Sequence, residues 1–402
     1  MKLAVEYAKQ TNPISIDGEK INFVETAEHV GILRSSSGNS VTILTRITAH
    51  KNALRAVLFS GMARGHRGNP AASLHVDQVY GVPVLLSGLG PLVFSKPDLS
   101  LVNQHHKEII SNLQRLLPST PRSVVYFLAG SLPGEALLHL RQLTIFGMIS
   151  RLPNSTSHEL ARNLLSSDVP PTKSWIFQVQ EHCRQYDLPD PLQQLHSPIP
   201  KETFKRLVKK NVLSYWEHLL RVEAADPRYS SLAFFHPEFM SLTSPHPVWT
   251  TCGSSPSKIA MASIQARMIS GRYRSESLCK HWSKNKDGFC QLSPSCANTV
   301  EDIPHILTSC SGLSTIRDKL IKFTLNYAST VPAIQNLILS LCIPSNPRLV
   351  QFLLDCSCLP EVVRATQMHG QEVLGHLFTI TRTWVYTLHK SRMKILGRWN
   401  FI

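Results

Sequence analysis

Four residues constrain this chain more than any others: Cys290, Cys296, His305 and Cys310, spaced C-x5-C-x8-H-x4-C. Three thiols and an imidazole brought together can fill the four tetrahedral positions of a structural Zn²⁺. Pro294 lies between the first two cysteines and suits a knuckle turn. The segment Glu301–Cys310 reads as a short helix, with Pro304 in its first turn, where a missing N–H costs nothing. His305 and Cys310 lie five apart, within the range of paired ligands on a helix. Free cysteines also serve as small core hydrophobes, but the loop 283–302 is too polar to bury thiols by itself. Cys279 and His281, just upstream, read as bystanders.

A chain of 402 residues anticipates two or three domains. A hydrophobic content of 43% is enough for real cores, and the net charge is +15. Such an excess favours a polyanionic partner, most simply nucleic acid, through sequence-independent neutralisation of phosphates. Nine cysteines without a signal-peptide pattern read as reduced thiols. No apolar run reaches about 18 residues, so no membrane span is expected. The corresponding localisation is nuclear and cytoplasmic.

The pattern predicts mainly α structure with a small N-terminal β element. Ile14–Ile21 places Asp17-Gly18 between two short alternating runs, a strong hairpin signal. A further strand is expected at Val30–Leu33. Helices follow over about 71–80, 83–94, 98–117, 121–129 and 133–151. In the third of these, His105 and His106 are expected on a solvated face. The stretch 187–200 is proline-rich and reads as a linker. The clearest helix spans about 201–225. It has an apolar stripe from Phe204 to Leu220, with Lys205, Arg206, Lys209 and Lys210 mostly off it. Residues 226–256 are rich in proline and aromatic side chains and read as an ordered but irregular segment or a lid. Helices at about 313–328, 331–342 and 347–355 lead to one long basic helix over about 360–396.

Several basic groups are candidate phosphate contacts. They are Arg46, Lys51 and Arg55 on one helix, Arg64 and Arg67 in a glycine-rich loop, the four cations of the 201–225 helix, Arg272 and Arg274 before the cysteine module, and Lys390, Arg392 and Lys394. Arginine and aromatic side chains beside a small zinc module suit single-stranded nucleic acid, by stacking and phosphate contact. No G-x-S-x-G, H-E-x-x-H or P-loop occurs. In Gly130-Ser-Leu-Pro-Gly134 the serine is one place too early for a nucleophile elbow, and a connecting turn is expected there.

Three stretches give the chain a resemblance. Ala27-Glu-His-Val-Gly-Ile-Leu33, then Gly271-Arg-Tyr-Arg274 with Leu278-Cys-Lys-His-Trp282, and then Cys290, Cys296, His305 and Cys310 occur in the order found in the C-terminal third of non-LTR (LINE-type) retrotransposon reverse transcriptases. The resemblance implies a remnant of the end of a palm (1–34), a helical thumb-like domain (35–151), a helical, proline-rich linker (152–200), a helical connector (201–275), a CCHC zinc module (276–312) and a C-terminal helical region (313–402). It implies RNA and RNA/DNA duplex as partners, and the missing polymerase portion as another. Mg²⁺ would be a cofactor only of the intact parent polymerase. A reverse transcriptase holds its catalytic metals on palm carboxylates that include an adjacent Asp pair. This sequence has no Asp-Asp, and its one adjacent acidic pair is Glu301-Asp302. The fingers and most of the palm would lie before Met1, so no catalytic residue is assigned and the chain is expected not to polymerise alone. The alternative is a domesticated, zinc-stabilised helical module that binds proteins.

Overall fold

The computed structural model describes residues 15–16, 19–20, 24–29, 32–36, 38–59, 68–166, 174–282, 287–342 and 347–398. The fold is mainly α, with two small antiparallel hairpins at the N-terminal end. In the first, β1 (Ser15–Ile16) pairs with β2 (Glu19–Lys20), Ile16 opposite Glu19. The Asp17-Gly18 turn itself lies outside the described residues. In the second, β3 (Thr26–His29) pairs with β4 (Ile32–Ser35), His29 opposite Ile32. The strand expected at Val30–Leu33 overlaps β4 at Ile32 and Leu33, while Val30 and Gly31 lie outside the described residues.

The helices that frame the site are α1 (Ser40–Phe59), α2 (Lys96–Leu113), α3 (Arg122–Ala129), α4 (Gly134–Ile149), α5 (Trp175–Gln185), α6 (Lys201–Ala224), α7 (Pro256–Ile269), α8 (Ser314–Ser329), α9 (Pro360–His369) and α10 (Glu372–Ile395). Their starts follow from local chemistry. Ser95 and Asp98 form a reciprocal capping box at α2, which satisfies two backbone donors that the first turn would otherwise leave free. Val124–Ala129, apolar enough for a strand, is helical and buried, packed against α2 and α6. Gly130 ends α3 at φ +61°, and the chain at Ser244–Pro245 passes so close that a Cβ there would lie 2.0 Å from the Ser244 carbonyl carbon. The Gly130–Gly134 stretch is thus a connecting turn.

One large core runs from Leu74 to Leu388 and includes Cys290, Cys296 and Cys310; a smaller one gathers Ile43, Leu85, Leu89 and Phe94. The stretch read as a linker belongs to the large core. Asp190 caps a short helix, Pro191–His196, with Pro191 at its first position, and Leu195 and Gln194 are buried. The prolines there start helices rather than loosen the chain. The 226–256 segment is likewise built in, through Phe235, Met240, Leu242 and Trp249. At the C-terminal end the expected single helix is broken. Gly370 (φ +85°) separates α9 from α10.

His105 and His106 are buried, not solvated. His105 Nε2 lies 2.9 Å from His50 Nδ1, whose Nε2 lies 2.7 Å from Asp77 Oδ1, while His106 Nδ1 is 3.3 Å from the Tyr126 hydroxyl. A π-turn at Asp77–Gly81 delivers the carboxylate. Among the described residues no single helix is long and apolar enough to cross a membrane. The bent pair α3–α4 passes such a test only when taken together, and most of its apolar side chains are buried in the core.

Candidate metal centre

The cysteine module begins with a minimal hairpin. Phe289 bridges Val300, the Cys290 amide donates to the Thr299 carbonyl (2.9 Å), and the Glu301 amide donates to Gly288 (3.0 Å). This brings the chain back over Cys290. A 3-10 turn at Pro294–Cys296, capped by the Ser293 side chain, then presents Cys296.

His305 and Cys310 depend on a different device. On an ideal α-helix, residues five apart stand about 140° apart around the axis. Here the segment is a single π-turn, His305–Ser309, and the Cys310 amide donates to the His305 carbonyl at 2.8 Å. The wider i→i+5 turn returns both side chains to one side. Asp302 holds its start, accepting from the His305 amide at 2.8 Å.

The four donors converge. Cys290 Sγ lies 3.7 Å from Cys310 Sγ and 3.3 Å from Cys296 Sγ, and the remaining sulfur pair is 4.0 Å apart. All four ligand atoms lie within 4.8 Å of one another, and all four residues are buried. A tetrahedral site with metal–sulfur bonds of about 2.3 Å places its sulfurs roughly 3.8 Å apart. A disulfide would need about 2.05 Å, and these cysteines are free. The cluster could hold a metal ion, and its donors are those of a structural zinc site.

The surroundings orient the ligands. The His305 Nδ1 sits 3.2 Å from the Ser309 hydroxyl, whereas its buried Nε2 has no partner. With the Nδ1 proton given to Ser309, the Nε2 lone pair is left free for a metal, the usual tautomer lock of a ligating histidine. The Leu292 amide points at Cys290 Sγ (3.5 Å) and the Ser311 hydroxyl at Cys296 Sγ (3.4 Å). Burial pushes the Cys290 thiol up to about 12 and raises that of Cys310. Burial acts the same way on Cys296, but hydrogen bonds from Ser311 and from Cys290 outweigh it and lower that thiol. Three thiols held this close need a cation if all are to ionise. Gly312 closes the site, since a Cβ there would stand 2.6 Å from the Leu292 carbonyl oxygen. Cys279 and His281 are not part of the donor cluster.

The module is tied to the last helix. Glu301 is fully buried. Its Oε1 accepts from the Arg392 guanidinium (2.6 Å and 3.2 Å) and from the Glu276 amide (2.9 Å). Arg398 pairs with Glu276 at 2.6 Å. Arg392, 2% exposed, is therefore a strut and not a surface contact for a phosphate. Its partner lies in the metal module, 91 residues upstream.

The other candidate contacts divide. Lys205, Arg206, Lys209 and Lys210 are exposed along α6, as are Arg55, Arg274, Lys390 and Lys394, while Arg46, Lys51 and Arg272 are half-buried. Arg64 and Arg67 lie outside the described residues. Hydrolase chemistry gains nothing from the serine–histidine–aspartate group at His246. His246 Nδ1 accepts from the Val248 amide, so Nε2 carries the proton and faces Asp355 (3.2 Å) and Ser357 (3.4 Å) together. A working triad needs the serine and the carboxylate on opposite ring nitrogens. Comparison with protein-family models, with curated proteins and with solved structures finds no match for the chain.

Proposed function

We propose that this protein is a zinc-stabilised, helical nucleic-acid-binding chain, akin to the C-terminal part of LINE-type reverse transcriptases, and that it holds RNA or an RNA/DNA duplex. The observation that supports this most is the convergence of Cys290, Cys296, His305 and Cys310, with sulfur separations of 3.3–4.0 Å. A sulfur-rich tetrahedral set suits zinc. Four protein ligands leave no open position for a substrate, so the metal is structural rather than catalytic.

Binding would come from the exposed cations. The first ten residues of α6 present Lys201, Lys205, Arg206, Lys209 and Lys210 to solvent, while Phe204, Val208 and Val212 anchor the opposite face in the core. Such a fixed row of charge releases counterions when it meets a phosphate backbone. The apolar stripe fixes the backbone of the row, so the ordering cost on binding falls on the side chains alone. The absence of an Asp-Asp pair from the sequence removes the usual means of holding two catalytic metals, and the role is gripping rather than copying.

Two measurements test the reading. Elemental analysis of purified protein should give one zinc per chain, and chelation or Cys296→Ser should unfold the module, because metal binding and folding are coupled in such sites. Affinity for single-stranded RNA should fall with salt at a log–log slope of roughly −3 to −4 if five phosphates are neutralised. Zinc well below one per chain removes the first part. Salt-independent binding removes the second. Protein partners retained after RNase treatment, with no RNA bound, would replace it with a protein-interaction role. Template-dependent nucleotide incorporation by the chain alone would overturn it outright.

A further inference from the structure

A pocket of about 470 Å³ lies between the end of α7, the turn that follows it, and α10. Five arginines line it: Arg267, Arg272, Arg274, Arg392 and Arg398. Their convergence is built into the backbone. The α7 helix ends in a Schellman turn, with the Gly271 amide on Met268 and the Arg272 amide on Arg267, and Gly271 at φ +61°. The α10 helix ends the same way, with the Gly397 amide on Lys394 and the Arg398 amide on Met393, and Gly397 at φ +65°. Each glycine reverses the chain and is followed at once by an arginine that enters the same pocket.

The charge there is only partly offset. Glu301 and Glu276 pair with Arg392 and Arg398. No carboxylate among the described residues pairs with Arg267, Arg272 or Arg274, which leaves a concave site with an excess of about three positive charges. Arg267 spends its Nε on the Arg115 carbonyl (3.2 Å), and its two terminal nitrogens have no partner among the described residues. The Nε of Arg272 is buried without a partner. His389 adds a directional group. It is 4% exposed, its Nδ1 lies 2.8 Å from the Tyr273 hydroxyl, and its Nε2 is buried and unpartnered. When Tyr273 donates to Nδ1, Nε2 carries a hydrogen with nothing to accept it. Clustered guanidiniums, unused donors and a neutral N–H donor select a multiply charged oxyanion, and planar arginine forks match phosphate oxygens two at a time.

We infer that this pocket binds a terminal phosphate, the monoester carried by a nucleotide or by the phosphorylated end of a polynucleotide. The volume exceeds what inorganic phosphate needs and falls within the range of small-molecule sites, so it admits the attached nucleoside as well. A terminal phosphate carries more charge than a bridging diester, so a site with this excess of positive charge favours an end over a backbone. The inference rests on the nucleic-acid reading for the source of the ligand, and not for the site itself.

The test is fluorescence anisotropy with the full chain and one single-stranded RNA sequence, bearing either a 5′-phosphate or a 5′-hydroxyl, with adenosine monophosphate as competitor. The phosphorylated strand should bind about tenfold tighter or more, as one or two charge-assisted hydrogen bonds provide. That preference should vanish in Arg272→Gln and in Arg274→Gln. Arg274 is exposed, so its variant keeps the test valid if Arg272→Gln does not fold. Displacement of the phosphorylated strand to the level of the hydroxyl strand by the mononucleotide identifies the shared site. RNA binding indifferent to the terminal phosphate overturns the pocket assignment and leaves the broader function standing. Arg274-dependent binding of the mononucleotide without RNA binding does the reverse.

Discussion

Replacing Arg392 with methionine separates two roles for the same residue. Sequence position places Arg392 on a basic C-terminal helix, where it would contact a phosphate. The structure places it inside, with its guanidinium on Glu301 and 3.8 Å from Glu276. Burial alone would lower its pKa, but Tyr273 and Glu301 together hold it above the ordinary value. In Arg392→Met the fully buried Glu301 keeps only the Glu276 amide as a partner for Oε1. Removing one member of a buried pair costs about 3–5 kcal/mol. With an m-value of about 3 kcal/mol/M in urea, the unfolding midpoint should fall by roughly 1 to 1.7 M. The double variant Glu301→Gln/Arg392→Met removes both charges and should recover most of that loss. Tryptophan fluorescence in a urea titration reads the midpoint, because Trp384 is buried on the same helix. An unchanged midpoint in the single variant, accompanied by weaker RNA binding, would refute the strut and restore the surface role.

Other perturbations follow from the same geometry. Gly312→Ala should loosen the metal centre, because its Cβ must push the Leu292 carbonyl away; zinc should be lost to a chelator at lower concentration than from the native chain. Charge reversal at Lys205 and Lys209 should leave the unfolding free energy within about 0.5 kcal/mol of native and reduce the salt slope for RNA by about 1.5 to 2. Acid should destabilise the fold early. Burial holds the pKa of His105 down to about 3, and burial holds those of His106, His182 and His389 down to about 4, whereas the unfolded chain takes up these protons near 6.5. Below that value the unfolded state binds more protons. Stability is therefore full above about pH 6.5 and falls as pH drops towards 4, with His106 alone contributing about 2 kcal/mol of the loss by pH 5. A urea midpoint that is flat between pH 7 and 5 would exclude this.

The four-donor cluster is legible because its information is local. Four donors lie within 21 residues, and Asp302 and Pro304 mark the turn that carries two of them. The π-turn was not legible, since the spacing alone reads as a short α-helix. Residues whose environment is set from afar were misread. His105 looks solvated until Asp77 and His50 arrive from other elements. Arg392 looks like part of a basic stripe until Glu301 is seen beneath it. The stretch 187–200 looks loose if its prolines are breakers, but Asp190 before Pro191 is a helix-start signal. The pocket residues Arg267, His389 and Arg398 were missed as a set. A faint signal existed in the two Gly-Arg steps at 271–272 and 397–398, each closing a helix, but nothing in the chain says that those two ends meet.

The Glu301–Arg392 pair also sets an order of assembly during synthesis. At about 5–20 residues per second, a ribosome needs roughly 5 to 18 seconds after making Glu301 to reach its partner, and longer to clear it from the exit tunnel. In that interval the Glu301 carboxylate is still hydrated. Its burial against the last helix waits until Arg392 has emerged. A nascent chain halted before Arg392 would thus carry the cysteine module with Glu301 still facing water.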